Sequence, residues 1–541
     1  MSQLIEAYND QRAALIDADR ALRVDRIRGP YHTVLEIKAD QIVRSIRAEE
    51  ARTVWGVEHD DVPSPFPGME FITGKKIVVK TKLFQLLSKM PKGALLHTHV
   101  DLSVSPRATL DIALHHPAIH IQVPPALTTS NLASTVPRVM PQASDFSACT
   151  VALTDPNYPG DSWVPLRFAR ESFSPNMGGP EGFDKWLTES MSISSIAAYD
   201  THNNNIKIWD KFAESAKLVC VSGMTHYAPM WPEYIKQFFK EIVEDGISYA
   251  ECRFDFTPKH FMDAEGQDTA THLQWIKVFR DVAKEYKEEL QAQGRGDEFA
   301  GAKMIYTVIR RVTPGELEWY LQDCIAMKQE FPDVIAGFDL VGDENANRPL
   351  IYYLSPLLTF RAECDSLSLD IPFLFHAGET CGDGSHADVN LYDALLLGSK
   401  RIAHGFSIVK HPKLMEMCRE RNVALEVCPI SNEILRLTAS MPMHPLPILL
   451  NNGVPVTLNS DDGTLFNNVG ITYDMYQVIA ASDVTGLLTL AELARDSITH
   501  SMMSEDEKKM AREAWEKRWI LFLENVVSLE AQTGVDAPLR N

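Results

Sequence analysis

Eight short apolar, β-rich segments separated by helical stretches constrain this 541-residue chain more than any other feature. They read KGALLHTHV (92–100), ISYAECRFDF (247–256), AKMIYTVIRR (302–311), VIAGFDLVG (334–342), IPFLFHAGE (371–379), RIAHGFSI (401–408), ALEVCPIS (424–431) and PVTLNSDD (455–462). Between them lie stretches with apolar residues three or four apart, such as EYIKQFFKEIVEDG and TPGELEWYLQDCIAMKQE. Eight strands alternating with helices predict an α/β fold, a (β/α)8 TIM barrel, over residues 89–532.

Two regions depart from that alternation. Residues 1–88 predict a helical extension, with one apolar stripe each in QLIEAYNDQRAALIDADRALR and ADQIVRSIRAEEARTVWG, interrupted by Pro63, Pro65 and Pro67. Such a stripe must be covered, either by the barrel or by a second copy in a homodimer. Residues 102–183 are rich in Pro, Ser and Gly (QVPPALTTSNLASTVPRVMPQAS, SPNMGGPEG) and predict an inserted subdomain or a large loop at the barrel mouth.

Composition narrows the function. A formal net charge of −21 disfavours a polyanionic partner such as duplex DNA, yet leaves room for one nucleoside or nucleotide in a local pocket. No apolar run reaches the length of a membrane-spanning helix, so no membrane partner is expected. The eight cysteines are scattered, without a CxxC, which predicts reduced and mostly buried thiols. With no basic stretch leading into an apolar one at the start, a cytoplasmic location is expected.

Titratable residues gather where the predicted strands end. The first ends in His97-Thr98-His99 and Asp101, the fifth in His376 and Glu379, the sixth in His404 and the eighth in Asp461-Asp462. In a parallel barrel those ends meet on one face, where active sites of this fold lie. His97 and His99, two apart on a strand, face the same side and can ligate one divalent metal. His376 and Asp461 would complete three nitrogens and one oxygen, a set suited to zinc. Water activated there would pass its proton to His404 or be oriented by it. Glu379, kept protonated by burial, would donate a proton to the group under attack, and Asp462 would accept a hydrogen bond.

The segments LLHTHVD, GFDLVGDE, FHAGET, RIAHGF, EVCPISN and VTLNSDDG, in this order, resemble the signature segments of the adenosine deaminases over roughly residues 90–500. KMPKGALLH, THYAPMW, the helical extension and the insertion are most similar to the adenosine-deaminase-related growth factor branch. The resemblance implies one zinc ion per subunit on His97, His99, His376 and Asp461. It implies that Glu379 protonates purine N1, His404 acts as base and Asp462 binds N7. Gly342 would offer its N–H to N3, Asp101 would accept the ribose 5′-hydroxyl, Trp209 would touch the sugar, and Ser431 would lie beside the pocket. Dimerisation through the N-terminal helices is a further implication. Two positions depart from the family pattern: Leu102 replaces a glycine, and Val100 stands where the growth-factor branch has an aspartate.

The reaction expected is hydrolysis of adenosine and its 2′-deoxy form to the inosine nucleoside and ammonia. An alternative is deamination of AMP, another adenine nucleotide or an N6-methylated form, with Arg107, Arg138, Arg167 and Arg170 of the insertion binding phosphate. A non-catalytic, growth-factor-like binding protein would have lost a ligand or the acid, and all are present. Base editing of nucleic acid would need H-x-E with P-C-x-x-C, which the chain lacks.

Overall fold

A computed structural model describes residues 2–220 and 223–533. All eight expected segments contribute parallel strands, here β1 (Gly93–His99), β2 (Ile247–Asp255), β3 (Gly301–Ile309), β4 (Ile335–Val341), β5 (His376–Ala377), β6 (Arg401–His404), β7 (Ala424–Val427) and β8 (Val456–Leu458). They form two four-stranded sheets, β1 to β4 and β5 to β8, each in chain order.

Short bridges join the two sheets into one ring. Phe338 of β4 donates to Pro372 O (2.9 Å) and accepts from Leu374 N (3.0 Å). On the other side Asp461 N donates to His97 O at 3.2 Å, and Thr98 bridges Asp461. The segment IPFLFHAGE is regular strand only at His376–Ala377; Pro372 has no N–H to give, and the His376 N–H donates to the Asp339 side chain at 2.9 Å rather than to a ladder carbonyl. Between β8 and β1 a side chain replaces ladder bonds: Asn459 Oδ1 accepts from Leu96 N (2.9 Å) and His97 N (3.0 Å).

The helices after β2 and β3, His272–Ala292 and Pro314–Glu330, start at capping boxes, Thr271 with Gln274 and Thr313 with Glu316. Helix Trp231–Glu244 lays Trp231, Tyr234, Ile235, Phe238, Phe239, Ile242 and Val243 against the barrel, the spacing of one helix face.

The N-terminal region packs on the barrel of its own chain from Arg23 onward, where Arg23 donates to Asn451 and Arg28 to Glu492 and Asp496. Glu36 accepts from Arg495 (3.0 Å) and Trp519 Nε1 (2.9 Å), while Arg47 donates to Ser482 O (2.5 Å) and Thr485 O (2.7 Å). Helix Ser2–Asp19, by contrast, leaves Leu4, Ile5, Tyr8 and Leu15 exposed.

The stretch after β1 is folded. Ile119–Gln122 lies between Arg138–Pro141 and Val164–Pro165 in an antiparallel sheet, and helices Pro106–His115 and Gly179–Ser190 accompany it. Phe173, Phe183 and Trp186 fill its core with ring centroids 5.5 to 6.2 Å apart. Six of the eight cysteines are buried and all eight are free. Among the described residues, no helix is long and apolar enough to cross a membrane.

Candidate active site

The strand ends bring four imidazoles together. Ring centroids lie 4.8 Å apart for His97 and His376, 4.7 Å for His97 and His404, and 5.6 Å for His97 and His99. The ligating atoms of His97, His99 and His376 all lie within 4.8 Å of one another. Asp461 Oδ1 is 3.2 Å from His97 Nε2 and 3.6 Å from His99 Nε2. His404 Nε2 sits 3.7 Å from Asp461 Oδ2 and 3.6 Å from Glu379 Oε1.

A second layer aims these rings. Glu426 Oε2 holds His97 Nδ1 at 3.0 Å and Asp339 Oδ2 holds His376 Nδ1 at 2.7 Å, so both Nε2 atoms face the common centre. Arg253 donates to both carboxylates at 2.8 Å, and Arg401 links Glu426 to Glu251 at 2.6 Å each. This line of alternating charge is fully enclosed in the barrel. Asp461 is steadied by Ser431, whose hydroxyl donates to Oδ2 at 2.7 Å. The enclosed Nε2 of His97 has no hydrogen-bond partner. An orphan nitrogen beside neutral imidazoles and one ionised carboxylate is what a divalent metal ion satisfies, and the residues present fit one.

Burial sets the protonation states. It lowers His99 to about 3, and drives His376 and His404 well below the usual histidine range, with His97 as the next contributor for the latter two. For Asp461, burial acts upward but is outweighed by His97, His404 and His99, so its carboxyl lies well below the ordinary range. Glu379 goes the other way: burial, then Asp461 and Glu344, push it well above the ordinary carboxyl range. Burial and Asp461 do the same for Asp462, whose Oδ1 is enclosed and without a partner.

Backbone geometry at the site is costly. His404 (φ 59°) and Asp461 (φ 62°) are both left-handed, which non-glycine residues adopt where surrounding structure enforces it. Gly342 has φ 102°, and a Cβ there would stand 3.2 Å from Asn347 Nδ2. Glu344, enclosed beneath the FHAGET loop, accepts from Glu379 N (3.0 Å) and Gly378 N (3.3 Å).

Asp101 lies close enough to Asp462 for its charge to push that carboxyl up. Asp101 lies beside Asp255, and burial followed by that neighbour raises its carboxyl to about 7. On β2, Glu251 and Arg253 point into the barrel, so Asp255 is the next inward-facing residue. Trp209 stands in helix Ile208–Val219, its ring 4.8 Å from Phe212 and its enclosed Nε1–H without a partner. The preceding Asn205 ties this segment across the mouth, donating to Leu435 O (3.1 Å) and accepting from Asn345 (3.2 Å).

Sequence reading missed Asp255, Asp339, Glu344, Glu426, Asn432 and His444. A signal existed for two of them: Asp339 and Glu426 are charges within the apolar strands IAGFDLV and ALEV.

Residues 233–517 match the family model described as adenosine deaminase. The chain is 31% identical over 460 residues to adenosine deaminase 2 of Sus scrofa, covering 84% of each chain. It is 33% identical over 452 residues to an adenosine deaminase of Lutzomyia longipalpis, covering 82% of this chain and 80% of that one. An adenine deaminase structure from Arthrobacter aurescens shares the fold, with TM-score 0.52 and 19% identity over 80% of this chain and 99% of that one. On the extent of these matches, the chain belongs to the adenosine deaminase family.

Proposed function

We propose that the protein hydrolyses adenosine, and its 2′-deoxy form, to the inosine nucleoside and ammonia, with zinc as its metal. The observation that carries this reading is Glu379, a carboxyl kept neutral 3.6 Å from His404, beside a three-histidine, one-aspartate ligand set. His97, His99, His376 and Asp461 would hold the ion, and three nitrogens with one oxygen suit zinc. When bound, the metal supplies a nucleophilic water at neutral pH.

Glu379 places its proton on purine N1, relieving the charge that attack at C6 drives into the ring. Asp462, with its unpartnered oxygen, takes the N7 side, and Gly342 brings backbone close to N3, where a side chain would not fit. Asp101 receives the 5′-hydroxyl and the Trp209 N–H reaches the sugar.

A nucleoside is favoured over AMP. A 5′-phosphate would add its charge to the Asp101–Asp255 pair, where burial and Asp255 already raise Asp101 to about 7. The arginines of the insertion that would offset it are engaged there. Arg107 and Arg170 share Asp184 at 2.8 and 2.7 Å, Arg167 donates to Leu114 O at 2.6 Å, and Arg138 lies over Trp163 at 5.6 Å.

The test is Glu379→Gln, which keeps the shape and removes the acid. The variant should fold and retain its metal, with kcat down ~100-fold or more and little change in KM. Near-normal turnover would overturn the assignment.

A further inference from the structure

We propose that His444 and Asn432 are positioning residues that fix His404 as the tautomer carrying its proton on Nε2. The inference rests on the reading of His404 as part of the deaminase site. Neither His444 nor Asn432 touches the ligand set. They form a line behind His404, on the side away from Glu379, and all three side chains are buried.

The direction of every hydrogen bond in that line follows from its far end. The backbone N–H of Leu446 donates to His444 Nδ1 at 3.0 Å, and a backbone N–H can only donate. His444 Nδ1 is therefore an acceptor. Burial lowers the His444 pKa to about 3, so the ring is neutral and its single proton sits on Nε2. His444 Nε2 is 3.0 Å from Asn432 Oδ1, which accepts it. The same amide then turns its NH2 toward His404, where Nδ2 stands 3.2 Å from His404 Nδ1. His404 Nδ1 must accept in turn, and the ring proton is left on Nε2, the atom facing Glu379 and Asp461. Phe406 packs edge-on against His444 with centroids 5.7 Å apart, and helix Pro429–Ile434 carries Asn432.

The consequence alters the expected role of His404. A neutral ring with an N–H at Nε2 donates a hydrogen bond to the attacking oxygen and orients it; it does not begin as the acceptor of that oxygen's proton. A tautomer held by a remote partner is a known determinant of histidine function, and reversing it is costly to turnover.

The test combines a spectroscopic and a kinetic readout on the full-length, zinc-loaded protein. In ¹⁵N-histidine-labelled wild type, with His404 assigned by difference from His404→Asn, Nδ1 should give the signal of an unprotonated nitrogen and Nε2 that of a protonated one. Asn432→Asp replaces the amide donor by a pure acceptor and should move the His404 proton to Nδ1. Metal content should stay the same while kcat falls ~100-fold with little change in KM. His444→Gln offers the same pair of groups, a carbonyl for Leu446 N–H and an N–H for Asn432, and should keep most of the turnover that His444→Leu loses. A proton on Nδ1 in the wild type overturns the proposal, as does equal loss in His444→Gln and His444→Leu. Should Asn432→Asp not fold, the wild-type spectrum and the His444 pair still decide. If adenosine is not the substrate, turnover is absent in the wild type while the spectrum still reports the tautomer, so the two failures are separable.

Discussion

The Glu426 carboxylate meets Nδ1 of His97 at 3.0 Å, with both side chains fully enclosed. That contact fixes which nitrogen of His97 faces the metal centre, and Arg253 and Arg401 compensate the carboxylate from below. Glu426→Gln should weaken metal binding by about 10–100-fold, because an outer partner both orients the ring and raises its basicity. Competition against a chelator, with circular dichroism to verify the fold, measures this. Unchanged affinity would mean the contact serves packing alone.

On the proposed reading, Asp101 and Asp255 lie at the sugar end of the substrate. The double variant Asp101→Asn/Asp255→Asn, which removes the pair's charge whichever carboxyl carries it, should raise the ratio of kcat/KM for AMP to that for adenosine by about tenfold. Asp255→Asn alone should move it less, because it lets Asp101 ionise. A ratio that does not move places the phosphate end of a nucleotide elsewhere.

Glu36 joins the N-terminal region to the C-terminal helices and gives a pH dependence. Burial acts upward on its carboxyl, but the Thr33 backbone, Trp519 and Arg495 outweigh it and hold it at about 2 against an ordinary 4.5. A depressed folded value means stabilisation present above pH 4.5 and lost as pH falls through 2. Glu36→Gln should therefore lower Tm at pH 7 and flatten the acid limb between pH 5 and 2. The effect is about 1–2 kcal/mol after screening by water at this half-enclosed group. An acid limb as steep as that of the wild type would count against it.

Much of the barrel and the ligand set was legible because both depend on short-range order. His97 and His99 share a face by strand periodicity alone, and His376, His404 and Asp461 stand where apolar segments end. The fifth segment is shorter than its apolar run suggests, and at its end the Asp339 side chain takes the N–H of His376 that a ladder carbonyl would otherwise accept. What lay hidden depends on chain segments brought together by the fold. Asn432 and His444 meet across a turn with no period, and Glu344 reaches the FHAGET loop from the loop after the fourth strand. Trp209 owes its place to a segment tied across the mouth by Asn205, in a stretch with no β periodicity to announce it.

Central to the account is a nucleoside deaminase whose acid is Glu379. The most direct measurement is ammonia release by the purified, zinc-loaded protein from adenosine and from AMP, separately and at equal concentration. Faster release from adenosine, lost in Glu379→Gln, is the predicted result. Faster release from AMP, or none from either with zinc bound, would contradict it.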